Sequence, residues 1–346
     1  SKMAIQPGDD ECLRFSFKTP LNERYKNQVP CYLTRTTLET HDIILKNLDR
    51  SPLYAKVIQG VGPRYCPSIE DKIVRFKDKD SHHIFIEPES RSTDLIYPQG
   101  LNTSMPSDVQ EAFLKSMPGL ENCEIIKFGY AVEYDFIYPD QLKHTLESKN
   151  ITNLYFAGQI NGTSGYEEAA GQGIVAGINA GLRIQNKEPL IITREEAYIG
   201  ALIDDLITKP IYEPYRMLSS RAEYRLILRQ DNATFRLSEK AFEAGLITKK
   251  EIEGIRDERN QIDLIKKTWS KTSTTDAEAK EMGLKQKVPY TNVLKRPEIT
   301  INKLIELDIV SRENMQIAKK ALVEVKYEGY LVKQEQEIKK IKKQES

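Results

Sequence analysis

Between Leu154 and Ala180 the chain reads LYFAGQINGTSGYEEAAGQGIVAGINA, and few folds accommodate such a string. Leu154, Tyr155 and Phe156 form a short apolar run that suits a buried strand. Gly158, Asn161, Gly162 and Gly165 then break the pattern, and small residues recur every three or four positions from Ala169. The expected order is strand, glycine loop, helix. Ala169, Gly173, Ala176 and Ala180 share one helical stripe, with Ala170 and Gly177 beside it, so the helix can pack closely on a sheet or a flat ligand. Tyr166, Glu167 and Glu168 fill its first turn. The loop before them delivers free backbone N–H groups and the positive end of the helix dipole, about half a charge. An anionic group suits that position. The GxGxxG spacing of the dinucleotide fingerprint is absent from this stretch. The glycines alone therefore leave two readings open, a ligand loop and a tight crossover needed only for packing.

At 346 residues the chain has the length for two or three domains and a substantial core. No apolar run approaches the roughly 20 residues of a membrane span, and the N-terminus shows no basic-then-apolar signal pattern, so a soluble, cytoplasmic protein is expected. Lysine plus arginine equals aspartate plus glutamate at 51 each, so any nucleic-acid surface must be local. Cys12, Cys31, Cys66 and Cys123 include no C-x-x-C pair, which argues against a zinc ribbon or a disulfide framework. Reduced thiols are expected.

Residues 1–30 are turn-rich and weakly periodic. Gln28 to Leu33 suits a strand, and Thr36 with Glu39 three residues on is a capping box for a helix through about Leu48. In IQGVGPRYCPSIEDKIVRF, Ile58 to Phe76, Gly60, Gly62, Pro63 and Pro67 constrain a loop that holds Cys66 near Arg64. A neighbouring guanidinium favours the thiolate when geometry brings the two together. The alternative is a loop cysteine of no chemical consequence. Cys31, in an apolar setting, reads as a packed thiol. His82 to Glu87 alternates as a strand would, which places His82 and His83 on opposite faces and makes joint metal ligation unexpected. Ser107 with Gln110 suggests another capping box and a helix through about Ser116, and strands are expected at Glu124 to Phe128 and Ala131 to Phe136.

After about Gln185 the pattern turns helical. Thr193 with Glu196, Ser220 with Glu223, and Thr248 with Glu251 offer helix starts, and Ile252, Ile255, Ile262, Ile265 and Trp269 keep helical spacing. Arg221, Arg225 and Arg229 recur at steps of four and make one guanidinium stripe if their segment is helical. Like charges at that spacing repel by a few tenths of a kcal/mol per pair. Phosphate facing them, and internal pairing with Glu213, Glu223 and Asp231, both remain open. The charged run Glu335 to Lys343 reads as a solvated helix.

The strings AGQ-NGT-GYEEA-QG, QVPCYLTRT, HDIILKNLDRSPLY, GPRYCPSIEDK, IFIEPE, YPQGLNTSMP, GYAVEYDF, TLESK and EPYRM-SRAEYRL-LR-DNA-RL resemble the MnmG/GidA family of tRNA uridine 5-carboxymethylaminomethyl modification enzymes. Departures occur at Ser90, where glycine is usual, His144, where proline is common, and Thr234 and Phe235, where aspartate and leucine are usual. The resemblance implies an α/β plus α fold: part of a Rossmann-like, glutathione-reductase-type FAD-binding domain with an inserted segment, followed by a helical domain. It implies an inserted α/β segment at 1–60, the C-terminal part of the FAD/NAD-binding domain at 61–185, and a helical tRNA- and partner-binding domain at 186–346. It also implies that this chain is the middle of a longer protein, without the N-terminal GxGxxG half or the C-terminal end, and that alone it holds FAD weakly.

In the family the first string lies along FAD, which carries over to Gly158, Gln159, Asn161, Gly162, Thr163, Gly165 and Tyr166. The nicotinamide nucleotide is assigned to Gly62, Pro63, Arg64, Tyr65, Cys66, Pro67, Ser68, Ile69, Glu70, Asp71, Lys72, Ile73, Val74, Arg75 and Phe76, with Cys66 a candidate catalytic residue. Arg216, Arg221, Arg225 and Arg229 are the implied tRNA contacts, and no metal is implied. The implied activity adds a (carboxymethyl)aminomethyl group at C5 of wobble uridine 34, using FAD, NADH and methylene-tetrahydrofolate. The implied partner is an MnmE-type GTPase, with a homodimer forming a heterotetramer with it. Uracil C5 is a poor nucleophile until something adds at C6, a task suited to a thiolate such as Cys66, while a reduced flavin near Gln159 suits methylene or hydride transfer. Two alternatives stand beside this. One is a folate- and FAD-dependent tRNA uracil C5-methyltransferase, whose relatives lack the long helical domain. The other is a non-catalytic fragment that binds tRNA or a partner protein.

Overall fold

The computed structural model describes residues 3–9, 16, 18–19, 28–55, 57 and 67–345, with no account of the side chains of residue 335 or of residues 341–345. The chain separates into two compact units, Ser1–Phe136 with Tyr212–Pro214, and Ile137–Ile211 with Tyr215–Ser346.

The first unit is built on four antiparallel strands in the order β1 (Ala4–Gln6), β2 (Cys31–Arg35), β3 (His83–Pro88) and β4 (Ile96–Gln99). Alternation in β3 sends Ile84 and Ile86 inward while His83 and Phe85 face out, as its sequence pattern predicts. Helices α1 (Leu38–Leu45), α2 (Ile69–Arg75) and α3 (Ser107–Lys115) contribute Ile44, Ile69, Ile73, Val109 and Phe113 to the same core. The two predicted caps are corrected. The box at α1 belongs to Thr37 and Thr40, because Thr36 is turned inward, where its hydroxyl accepts the His82 N–H at 2.8 Å. At α3 the N-cap is Pro106. Gln110 is buried instead, donating to the Met105 carbonyl at 2.6 Å and exchanging hydrogen bonds with the Gly129 backbone at 2.9 and 2.8 Å. The strands expected at Glu124 to Phe128 and Ala131 to Phe136 are not formed. Ile126, Tyr130 and Val132 are exposed, and Gly129 is pinned by a side chain, not by a neighbouring strand.

In the second unit, Leu154 to Phe156 does not make the expected regular strand. Tyr155 forms a single antiparallel bridge with Glu147, because the run's partner is only the short turn at 142–148: Ser148 donates to the Leu154 carbonyl at 2.8 Å and Phe156 to that of Leu146 at 3.1 Å. The loop and helix follow as predicted, with α4 spanning Tyr166–Ile184. Val175 and Ala176 pack with Leu202 and Leu206 of α5 (Tyr198–Thr208) and with Leu142 and Tyr215. Helix α5 starts later than Thr193, capped by Ala197, and Ser219–Arg221 is only a 3-10 turn.

Helices α6 (Ala233–Glu243), α7 (Lys249–Lys271), α8 (Asp276–Glu281), α9 (Tyr290–Leu294), α10 (Ile301–Glu306) and α11 (Met315–Glu345) complete the unit. The capping box of Thr248 and Glu251 opens α7 as its sequence predicts, and Ile262 and Trp269 meet Ala318, Leu322 and Val325 of α11. Arg259 and Lys266 of α7 both pair with Glu324 of α11, so apolar packing and an ion-pair network hold these helices together.

Candidate functional site

The glycine loop before α4 is held from beneath by one side chain. Gly158 sits at φ +87° and ψ −142°, a conformation open in practice only to glycine. A 3-10 turn, Gln159–Asn161, follows, and Gly162 at φ +75° ends it. Gln172, fully buried in the second turn of α4, makes four hydrogen bonds to this structure. Its Oε1 accepts from the Gly158 N–H at 3.1 Å and from Asn161 Nδ2 at 2.8 Å, while its Nε2 donates to Thr163 Oγ1 and to the Glu168 carbonyl, both at 3.1 Å. Thr163 Oγ1 closes the ring by donating to the Gly158 carbonyl at 3.0 Å. Gly158, Asn161, Gly162 and Thr163 are thereby buried, and Gln159 is exposed at the tip.

Helix α4 begins at Gly165 without a side-chain cap, and Tyr166 is 94% exposed. No side chain caps its first-turn N–H groups, and the positive end of the helix dipole lies there. Glu168 turns in from this turn: its Oε1 accepts the Met217 N–H at 2.7 Å and lies 3.4 Å from Arg216 Nε. Gly165 is required here by close approach, since a Cβ on it would stand 1.8 Å from Glu168 Oε2. A parallel bridge between Thr163 and Tyr215 adds hydrogen bonds from the Tyr215 N–H to the Gly162 carbonyl at 2.8 Å and from the Ser164 N–H to the Tyr215 carbonyl at 3.3 Å. Tyr215 and Met217 of the EPYRM string are thus fastened along the loop. Asn161 Oδ1, Ser164 Oγ and Glu168 Oε2 are buried with no hydrogen-bond partner among the described residues. Further along α4, Gly173 and Gly177 are exposed, with nothing within 4 Å of where a Cβ would be. That side of the predicted small-residue stripe is open, whereas Ala176 is buried.

The predicted arginine stripe is not a stripe, because residues 216–229 are not helical. The segment takes its shape from side chains. Arg194 ties it down, pairing with Asp204 at 2.9 Å, Asp205 at 2.7 Å and Glu223 at 2.6 Å, and donating to the Arg221 carbonyl at 3.2 Å. Arg221 stacks 4.5 Å over the Tyr215 ring, and the Tyr215 hydroxyl donates to Asp205 at 3.0 Å. Burial would raise the Asp205 carboxyl pKa, but hydrogen bonds from Lys209, Arg194 and Tyr215 hold it below its ordinary value. Burial and the Asp205 charge raise the Tyr215 phenol. Arg229 is spoken for by Asp231 at 2.9 Å, the Leu226 carbonyl at 2.6 Å and the Tyr327 ring at 4.9 Å. Arg225 is exposed and pairs with no carboxylate among the described residues.

Of the second motif, Gly62, Pro63, Arg64, Tyr65 and Cys66 lie outside the described residues, as does Cys12. From Pro67 onward its role is largely internal. Ser68 caps α2 through the Asp71 N–H at 3.3 Å, and Ile69 and Ile73 are in the core. The fully buried Glu70 accepts from the Ser104 N–H at 3.3 Å and hydroxyl at 3.4 Å. Lys72 Nζ donates to the Gly100 carbonyl at 3.2 Å, so the helix carries the loop of YPQGLNTSMP. Arg75 and Phe76 are exposed. Cys31 and Cys123 are free, half-buried thiols, and burial pushes the Cys123 pKa up, away from thiolate character.

The family profile of glucose inhibited division protein A matches residues 1–188, and that of the tRNA modifying enzyme MnmG/GidA C-terminal helical domain matches residues 249–335. The chain belongs to the MnmG/GidA family. It is 51% identical to the tRNA uridine 5-carboxymethylaminomethyl modification enzyme MnmG of Bacillus subtilis, and the alignment takes in 100% of this chain and 56% of that protein. Against the MnmG of Syntrophomonas wolfei the figures are 49%, 100% and 57%. GidA of Aquifex aeolicus superimposes with a TM-score of 0.88 in one crystal form, at 43% identity over 100% of this chain and 57% of that one. In a second form the TM-score is 0.87, at 41% identity over 99% and 55%. The chain thus spans just over half the length of the MnmG and GidA proteins it matches.

Within this MnmG/GidA segment, three features escaped the sequence reading. Gln172 has no part in the small-residue pattern, and Glu168 is placed by sequence only in the first turn of the helix. Arg194, the centre of the network under EPYRM and SRAEYRL, lies outside both strings. The glutamine's place between two glycines on the inner side of α4 was the one available signal.

Proposed function

We propose that the complete protein is an FAD-dependent tRNA-modifying enzyme that acts at C5 of wobble uridine 34, and that residues 158–166 form part of its flavin site. The observation that carries this reading is the exposed Gln159 on the loop that leads into the uncapped start of α4, a loop whose backbone is fixed by Gln172. The residues fit the cofactor. Gly173 and Gly177 leave an open face along α4, and Asn161 Oδ1 and Glu168 Oε2 are buried acceptors without a hydrogen-bond partner among the described residues. Gln159 would orient the ring system, and the first-turn N–H groups of α4 would favour negative charge beside it. When bound, FAD supplies redox and one-carbon transfer chemistry. The name of the relatives, tRNA uridine 5-carboxymethylaminomethyl modification enzyme, supports the substrate.

NADH is assigned to residues 62–76, at whose end Phe76 is exposed and Arg75, also exposed, pairs with Asp71 at 2.9 Å. The inward-facing Ile69, Glu70 and Ile73 would act there by shaping the loop, and Cys66 would serve as the thiol that adds to uracil C6. Methylene-tetrahydrofolate as one-carbon donor, an MnmE-type GTPase partner, a homodimer and a cytoplasmic location complete the proposal. The proposed helical domain at 186–346 belongs to it as well, whereas the expected boundary at residue 60 is not kept, because β2 pairs with β3 across it and one core serves both sides. Nucleoside mass spectrometry of tRNA tests the proposal, comparing cells lacking the complete protein with cells to which it is restored. Loss and recovery of the C5 modification at uridine 34 is expected, and unaltered tRNA in the deletion strain would refute the activity. In the same assay Cys66→Ser should fail to restore the modification, and full restoration would remove the thiol from the chemistry.

A further inference from the structure

The hydrogen-bonding pattern at Gln172 sorts its two amide atoms unambiguously. Oε1 faces two donors, the Gly158 N–H and Asn161 Nδ2, and Nε2 faces two acceptors, Thr163 Oγ1 and the Glu168 carbonyl. The side chain is 0% exposed and touches the loop both before and after its exposed tip. Gly158 adopts a backbone conformation that nothing in its own side chain stabilises, and its N–H and carbonyl are both taken up by this ring, the first by Gln172 and the second by Thr163. Removing the amide would leave Gly158 N–H and Asn161 Nδ2 buried without partners, a penalty of about 1–3 kcal/mol per group that the loop can escape by rearranging. Rearrangement moves Gln159, which lies between the two anchored ends.

We propose that Gln172 is a positioning residue for flavin binding: it touches no cofactor, and its carboxamide sets the loop conformation that presents Gln159 and the α4 N-terminus. This rests on the flavin reading above. The test uses the complete protein and three side chains at position 172. Gln172→Met keeps length and removes all four hydrogen bonds, while Gln172→Glu keeps the acceptor face and loses the donor face. FAD affinity is measured by titrating the apo-protein, alongside the visible circular dichroism of bound flavin and the melting temperature of the apo form.

Gln172→Met should weaken FAD binding by at least about tenfold, the factor that one unsatisfied buried group represents. It should also alter the circular dichroism of the flavin that still binds at saturation, at temperatures well below its melt. Gln172→Glu should be weakened at about pH 8, because its carboxylate offers no donor to Thr163 Oγ1 or the Glu168 carbonyl, and should recover towards wild type as pH falls through the carboxyl's own pKa. A residue that merely fills space would give neither the spectral change nor the pH-dependent recovery. Wild-type affinity and an unchanged spectrum in Gln172→Met would overturn the proposal. So would a Gln172→Glu variant that binds FAD at about pH 8 as tightly as wild type. Failure of the wild-type apo-protein to bind FAD would instead overturn the flavin reading itself.

Discussion

Glu168, in the first turn of α4, accepts the backbone N–H of Met217 at 2.7 Å across a sequence separation of 49 residues. This contact, with the Thr163 to Tyr215 bridge beside it, makes the glycine loop and the EPYRM string one structural piece. The carboxylate reaches Met217 only because position 165 carries no side chain.

Gly165→Ala should therefore be costly out of proportion to one methyl group. Its Cβ would collide with Glu168 Oε2, and displacing that carboxylate leaves the Met217 N–H unsatisfied, for a loss of about 1–3 kcal/mol. Gly173→Ala, on the open side of the same helix, meets nothing within 4 Å and should stabilise this chain by about 0.5–1 kcal/mol through helix propensity. Urea unfolding of the two variants, read by far-UV circular dichroism, checks the contrast. Equal effects would show that Glu168 is not held as described.

The Asp205 network predicts an acid limb. Its folded pKa is depressed, so the stabilisation it contributes is fully present above the ordinary carboxylate value of about 4 and is lost as pH falls through the lower folded value. Stability measured from about pH 7 down to about pH 3 should fall at the acid end, and Asp205→Asn should lower the plateau and shallow that fall. Arg194→Met, which leaves Asp204 and Asp205 without their shared partner while Lys209 and Tyr215 still hold Asp205, should cost about 1–3 kcal/mol at neutral pH. An acid limb of unchanged steepness in Asp205→Asn would assign the limb to other carboxylates.

Arg225 and Arg229, equivalent in the sequence pattern, should part company in experiment. If tRNA phosphates meet this segment, Arg225→Glu in the complete protein should weaken tRNA binding and reduce the salt slope by about one unit, without loss of melting temperature. Arg229 already holds Asp231 and the Leu226 carbonyl, so Arg229→Glu should lower the melting temperature instead. A salt slope unaffected by Arg225→Glu would exclude this arginine from the tRNA surface.

The legible parts of this fold were those governed by local chemistry. Loop and helix at 158–184, the alternation of β3 and the capping box at Thr248 follow from periodicity and from residues three apart. What was illegible depended on distant partners. Thr36 and Gln110 are good capping residues that the core recruits for other tasks, and nothing near them in sequence reveals that. Ala131 to Phe136 has strand-like composition, yet a strand needs a neighbour, and composition does not specify one. Arginines at steps of four predict a stripe only on a helix, and the helix loses here to the cross-links from Arg194 and Tyr215. At the candidate site, the glycine loop around Gln159 is legible from its own residues, whereas its support, Gln172, depends on hydrogen bonds to Gly158, Asn161 and Thr163 that spacing along the chain does not reveal.

The central claim, that the loop of residues 158–166 holds flavin in the complete protein, is tested most directly by the FAD content of purified wild type and of Gln159→Ala. Because Gln159 is exposed and the ring around Gln172 does not include its side chain, the substitution should leave the melting temperature of the apo form unchanged. The account predicts stoichiometric FAD in the wild type and a marked loss of it in Gln159→Ala. FAD retained by the variant with undiminished affinity would contradict it.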